Sequence, residues 1–152
     1  MSSPSDIRMV DVGEKPVTRR QAEAKGRVLM QATTLKLLKQ GKLPKGDVLA
    51  AARVAGIMAA KETHRLIPLC HPLLVEDIEV EFSIDEKNPA VEITVMVKGS
   101  GKTGFEMEAL TAVAISGLTI YDMCKTVDQK LRLEDIRLTR KSGGKSGTIS
   151  LE

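Results

Sequence analysis

Asp77-Ile78-Glu79-Val80-Glu81-Phe82-Ser83-Ile84 and, after Asn88-Pro89, Val91-Glu92-Ile93-Thr94-Val95-Met96-Val97-Lys98 form the stretch that decides the fold class. Every second residue is apolar, the period of a strand with one face on a core and the other in water. Two such runs joined by a short turn make an antiparallel hairpin. On either side the period changes. Val28, Leu29, Ala32, Leu35 and Leu38 recur at helical spacing, so a helix is expected over residues 28–39. Gly41-Lys42-Leu43-Pro44-Lys45-Gly46 carries the breakers of a loop. Asp47 is a fitting N-cap for a helix running to about residue 65, before Pro68 intervenes. That helix is rich in small residues (Ala50, Ala51, Ala52, Ala55, Gly56, Ala59, Ala60), a surface that admits another element at close range.

After the hairpin, residues 99–104 read as a glycine-rich flexible loop. A long helix follows over residues 105–130, then a last strand over 136–139. Residues 9–12 are expected to form a short strand, and residues 17–27 are a polar, extended segment without a clear assignment. Helices packed on one face of an antiparallel sheet give an α+β sandwich. The 152 residues fit a single domain, with residues 1–8 and 148–152 expected as flexible ends.

Composition narrows the function classes. Aromatic residues are confined to Phe82, Phe105 and Tyr121, so the core is aliphatic. The stacking platforms of single-stranded nucleic-acid binders are missing as well. A net charge of +3 is too mild to name a polyanionic partner. Its distribution is more informative: Lys15, Arg19, Arg20, Lys25 and Arg27 gather near one end, and Arg137, Arg140, Lys141 and Lys145 near the other. Small phosphorylated ligands suit such an arrangement. Cys70 and Cys124 are far apart and in no paired spacing, which points to a reducing compartment. The first residues carry neither the basic region nor the apolar run of a signal peptide, and the longest apolar stretches are short and alanine-rich. A soluble cytoplasmic protein without a membrane partner is expected.

Four places could carry chemistry. In Tyr121-Asp122-Met123-Cys124-Lys125, Asp122 and Lys125 are three apart and share a helix face. The preceding turns hold no charge, so the pair is expected where charge is expensive, as proton-transfer groups often are. In Leu69-Cys70-His71-Pro72, His71 lies between prolines 68 and 72, which hold the imidazole on a stiff segment. Adjacent Cys70 and His71 would point apart and form no nucleophilic dyad. Glu106-Met107-Glu108 opens the long helix, where carboxylates favour the helix dipole and could also bind the polar edge of a guanine-like ring. Lys45 is in its own turn. The tail Lys141-Ser142-Gly143-Gly144-Lys145-Ser146-Gly147 imitates a P-loop but has Thr139 where a glycine is wanted. It allows only a looser wrapping of phosphate by glycines and lysines. His64 and His71, seven apart, have no supporting spacing for a metal.

Taken in order, Met9-Val10-Asp11-Val12, Lys45-Gly46-Asp47-Val48, Ala51-Ala52-Arg53-Val54-Ala55-Gly56-Ile57, Ile67-Pro68-Leu69-Cys70-His71-Pro72-Leu73, Thr103 through Ala112, Tyr121 through Lys125 and the glycine-lysine tail resemble the cyclic pyranopterin monophosphate synthase (MoaC) family of molybdenum cofactor biosynthesis. The resemblance implies a ferredoxin-like subunit in a hexamer, a trimer of dimers with active sites at subunit interfaces. It implies a lyase acting on the 3′,8-cyclo-7,8-dihydro derivative of guanosine triphosphate, made upstream by a radical enzyme. The product is cyclic pyranopterin monophosphate, and pyrophosphate is released. Position by position, it makes Asp122, Lys125 and Lys45 catalytic. Leu69, Cys70, His71, Met107, Glu108 and Glu106 would line the substrate, with Asp11, Arg20, Lys141 and Lys145 handling phosphate or shaping the site. No redox step is implied, hence no organic cofactor, while Mg²⁺ with the triphosphate stays open. The alternatives are a non-catalytic guanine-nucleotide-binding module and a structural assembly protein.

Overall fold

The computed structural model describes residues 5–152. Its elements are β1 (Thr18–Leu29), α1 (Ala32–Lys39), α2 (Val48–Leu66), β2 (Leu74–Asp85), β3 (Ala90–Gly101), α3 (Glu106–Cys124), β4 (Arg132–Ser142) and β5 (Ile149–Ser150). They build one antiparallel sheet in the order β2-β3-β1-β4-β5. β3 lies between β1 and β2, and β1 between β3 and β4, so two split β–α–β units interlock. This is the ferredoxin-like α+β arrangement.

The hairpin has the expected register, with Val80 opposite Val95 and Phe82 opposite Ile93. β1 is the segment that sequence periodicity leaves unassigned. Its inward positions are Ala22, Ala24, Gly26 and Val28, all buried, alternating with Gln21, Glu23, Lys25 and Arg27. The period is that of a strand, but three of the four inward residues are too small to register as apolar. They are small because α3 crosses them closely. A Cβ on Gly26 would lie 2.7 Å from Cγ1 of Val113.

Val28 and Leu29, expected in a helix, end β1 instead, paired with Val91 and Ala90 on one side and Leu133 and Arg132 on the other. The helix starts at Ala32. Asp47 caps α2 as expected, accepting from the Ala50 amide at 3.1 Å. The small face of α2 receives α3 of the same chain. Ser116 Oγ donates to the Ala52 carbonyl at 2.9 Å, and a Cβ on Gly56 would come within 2.3 Å of that hydroxyl.

The remaining differences lie at element ends. α3 stops at Cys124 rather than at 130, and the loop expected from 99 begins only after Gly101, because β3 pairs with β1 up to that residue. The last strand runs the length of β4. Residues 149 and 150, expected to be flexible, pair with Lys141 and Arg140. Met9–Val12 forms no strand; none of these residues pairs with the sheet, and Met9 and Val10 are exposed. Of the flexible start, residues 1–4 lie outside the described residues.

Among the described residues, α3 alone has the length and composition of a membrane span, with mean hydropathy 1.2. Its Ala109, Ala112, Val113 and Ile120 are fully buried against the sheet and α2, so its apolar character serves the core.

Candidate active site at the two ends of the core helix

The sequence-predicted residues fall into two groups, one at each end of α3. At the C-terminal end, Lys45 Nζ donates to Asp122 Oδ2 at 2.9 Å and Lys125 Nζ is 3.0 Å from Oδ1. Each carboxylate oxygen thus takes one ammonium. Lys45 reaches the helix from the α1–α2 connection, which turns through left-handed Gly41 and Gly46 and is pinned between them by buried Leu43. The hydrogen bonds from Lys45 and then Lys125 hold the Asp122 carboxyl below its ordinary range.

The expectation that this pair is buried is corrected. Asp122 is 53% exposed and Lys125 54%. The uncharged turns before it do face the core, but in the last turn Met123 and Cys124 point inward, which turns Asp122 and Lys125 outward. Beside them on the outer surface lie Leu118 and Tyr121, both exposed.

At the N-terminal end the electrostatics are reversed. Glu108 is only 3% exposed, and its Oε1 has no hydrogen-bond partner. Burial pushes its carboxyl above the ordinary range and the Glu106 charge adds to this, while its own amide and the Cys70 thiol act in the other direction. Cys70 Sγ lies 3.9 Å from Glu108 Oε2. Its thiol is pushed up to about 11 by burial and then by the Glu108 charge, so it stays protonated and is no nucleophile at neutral pH. His71 Nε2 is 2.7 Å from the Val10 carbonyl, and since a carbonyl only accepts, that nitrogen carries a proton. Leu69 and Met107 are partly exposed at the same end. Asp11 closes the neighbouring turn by accepting from the Gly13 amide at 2.8 Å.

Next to this end opens a cleft of about 630 Å³, walled by Lys15, Arg20, Glu106, Lys141, Lys145 and the glycine turn. The two basic ends of the sequence meet here because β1 and β4 are paired, Ala22 opposite Lys141. Arg20 Nε donates to the Gly101 carbonyl at 3.1 Å and Nη2 to that of Lys102 at 3.3 Å. Gly143 and Gly144 have φ of 103° and 72°, and a Cβ on Gly143 would sit 2.2 Å from the Arg19 carbonyl, so the tail folds over Arg20 only with glycine there. Lys141 Nζ is 3.9 Å from Glu106 Oε1. A strand, not a helix, follows the tail, which agrees with its failure as a P-loop. Among the described residues no group of three or more His, Cys, Asp or Glu side chains is placed to hold a metal ion.

One chain does not bring the two groups together. From Glu108 to Asp122 is fourteen helical residues, about 21 Å along the axis. Sequence reasoning places Lys15 in the basic cluster near the N-terminus without assigning it to a site, and it misses Asp128, a buried carboxylate that ties α1 to the end of α3.

Comparison with known proteins places the whole chain in one family. The model of the MoaC family matches residues 9–144, which spans every residue of the two groups except Lys145. A cyclic pyranopterin monophosphate synthase of Chloroflexus aurantiacus is 61% identical over 147 residues, covering 97% of this chain and 90% of the relative. One of Natranaerobius thermophilus is 54% identical over 152 residues, covering 100% and 96%. Another, of Parvibaculum lavamentivorans, is 59% identical over 140 residues, covering 92% and 88%. With its ferredoxin-like sheet, its charged helix ends and this extent of identity, the chain belongs to the MoaC family.

Proposed function

We infer that the protein is a cyclic pyranopterin monophosphate synthase, a lyase of molybdenum cofactor biosynthesis. It converts 3′,8-cyclo-7,8-dihydroguanosine 5′-triphosphate to cyclic pyranopterin monophosphate and releases pyrophosphate. Family membership supports the reaction. The observation that carries the site assignment is Asp122 bridging Lys45 and Lys125 in a solvent-reached cluster.

Opening the five-membered ring of the purine and closing a pterin ring moves several protons, so it requires acids and bases of offset pKa. Asp122, held ionised, serves as base or as orienter of a lysine; Lys45 and Lys125 supply protons and positive charge. In forming the cyclic phosphate, a sugar hydroxyl attacks the α-phosphorus and the bond to the bridging oxygen of the β-phosphate breaks. Negative charge grows on the leaving pyrophosphate and ammonium groups stabilise it. Lys15, Arg20, Lys141 and Lys145 give the cleft the charge to hold those phosphates. Glu106 and Glu108 face the polar edge of the base, with Cys70, His71, Leu69 and Met107 around it. The rearrangement involves no net redox change, so no organic cofactor is assigned. The protein acts in the cytoplasm on a substrate supplied by a radical cyclase.

The two partial sites lead to the assembly. We place the reaction where the C-terminal end of α3 in one copy meets the N-terminal end of α3 in another, within a hexamer of three dimers. The 21 Å between the two ends within one chain supports this reading, as does the partly apolar outer surface of α2 and α3 with Val54, Met58 and Leu118 exposed. Purified protein given the cyclised nucleotide should release pyrophosphate and the pyranopterin. Binding of a guanosine triphosphate analogue without turnover of the cyclised nucleotide would instead make it a non-catalytic nucleotide-binding module. Wild-type turnover by Lys125→Ala would remove Lys125 from the mechanism.

A further inference from the structure

We propose that Asp128 is a positioning residue for the Lys45–Asp122–Lys125 cluster, acting as the N-cap that α1 lacks and locking that helix to the turn leaving α3. The proposal rests on the assignment of that cluster to the reacting centre.

α1 has eight residues, no acidic residue in its first turn, and Gln31 at its N-cap makes no side-chain capping bond. So short a helix is marginal by itself. Asp128, almost a hundred residues later, supplies the missing cap. Its Oδ2 accepts from the Gln31 amide at 2.9 Å and from the Thr34 hydroxyl at 2.8 Å. Its Oδ1 accepts from the Lys130 amide at 2.7 Å. The carboxylate is 3% exposed and lies at the positive end of the α1 dipole. Burial pushes its pKa up, but the Gln31 and Lys130 amides, the Thr34 hydroxyl and the Lys130 charge outweigh this, so it remains ionised. A buried carboxylate without hydrogen bonds would be expensive; this one has all its donors in place.

What Asp128 joins is the pair of segments that carry the cluster. Upstream, Val127 N–H donates to the Cys124 carbonyl at 3.0 Å and Lys125 N–H to that of Tyr121 at 2.9 Å, so the turn is continuous with the helix end bearing Asp122 and Lys125. On the other side, a hydrogen-bonded turn links α1 to Lys45: Lys42 N–H bonds the Leu37 carbonyl at 2.9 Å, Gly41 N–H that of Leu38 at 3.1 Å and Gly46 N–H that of Leu43 at 3.1 Å, and buried Leu43 anchors the loop. A shift of α1 therefore moves Lys45 relative to Asp122. Misplacement by about 1 Å can lower a rate about 10²-fold.

The test is a double-mutant cycle on turnover of the cyclised nucleotide. Asp128→Ala should lower kcat about 10- to 100-fold and leave KM within about three-fold, because the phosphate cleft is at the other end of α3. In a Lys45→Ala background the same change should have almost no further effect on kcat, since its route of action is gone. Thr34→Val, which removes one donor and keeps the shape, should lower kcat about 3- to 10-fold, by the loss of one such hydrogen bond, and serves where Asp128→Ala does not fold. Titration of the Asp122 carboxyl by NMR gives a readout independent of turnover: its pKa should rise in Asp128→Ala or Thr34→Val as the Lys45 contact loosens. Additive losses in the cycle, wild-type kcat in Thr34→Val, or an unmoved Asp122 titration would overturn the proposal. An inactive wild type with a responsive Asp122 titration would instead count against the assigned reaction.

Discussion

The two ends of α3 each present a carboxylate, and the fold treats them in opposite ways. Asp122 stands in solvent between two ammonium groups and is kept ionised. Glu108 is buried, has an oxygen without a partner, and is pushed toward its neutral form by burial and by Glu106. The difference comes from the helix surface. In the last turn the core takes Met123 and Cys124, whereas in the first turn it takes Glu108 and Ala109. Two carboxylates whose surroundings drive their pKa values apart are suited to separate proton tasks. Within one chain the two carboxylates stand about 21 Å apart along the helix axis.

The comparison is broken most severely at the exposed end. Asp122→Asn keeps the shape and removes the charge that holds both lysines, so kcat should fall about 10²- to 10⁴-fold. KM should change little, which steady-state kinetics on the cyclised nucleotide will check. Lys45→Ala should behave alike.

At the other end the effect should appear in affinity. Lys141→Ala combined with Lys145→Ala removes two cations from the cleft, each worth about 1.5–3 kcal/mol if it reaches phosphate. Inhibition by added pyrophosphate should weaken by about 10²-fold or more, while kcat drops far less. Equal losses in kcat and affinity would mean that the two ends do not divide the work in this way.

Glu108→Gln sharpens the contrast in protonation. A carboxyl whose folded pKa is raised contributes most to stability while protonated, below its unfolded pKa, and that contribution is lost as pH rises through the folded pKa. The amide avoids this loss, so at pH 7–8 the variant should be more stable by about 1 kcal/mol, or about 2–4 °C in Tm. Its kcat/KM should fall about 10²-fold as the base edge loses its partner. A melting curve that drops instead would show that Glu108 is structurally satisfied.

The smallest effect concerns acid stability. Asp128 has its folded pKa lowered, so its contribution is present above the unfolded value of about 3.9 and is lost as pH falls through the folded one. Asp128→Asn should flatten this acid limb by about 1 kcal/mol, measured as denaturant midpoints from pH 6 downward.

Legibility in the sequence followed side-chain size. The β2–β3 hairpin was readable because Val80, Phe82, Ile93 and Val95 are large enough to show a period of two. β1 was not, because Ala22, Ala24 and Gly26 leave room for α3 and carry almost no apolar signal. The Asp122–Lys125 pair is visible from its spacing, whereas Lys45 stands out only as a lysine in its own turn, and its link to the pair comes through the family resemblance; no local pattern says that a loop 77 residues away donates to Asp122. Burial of the pair was misread because an apolar run says that a helix is packed, not which way its last turn faces. The cleft was half legible. Both basic clusters stood out, but only the β1–β4 ladder puts them on one wall. Asp128 gave no signal at all, since its donors are two backbone amides and a threonine from distant segments.

The most direct test of a site assembled from two copies is complementation. Asp122→Asn and Glu108→Gln chains, nearly inactive as separate preparations, are co-expressed with different tags and purified together. If each site takes one α3 end from each of two copies, half of the randomly formed pairs are mixed and each has one intact site. Activity should then recover to about a quarter of wild type. A mixture no more active than the mean of the two separate variants would contradict the account and put the whole site within a single chain.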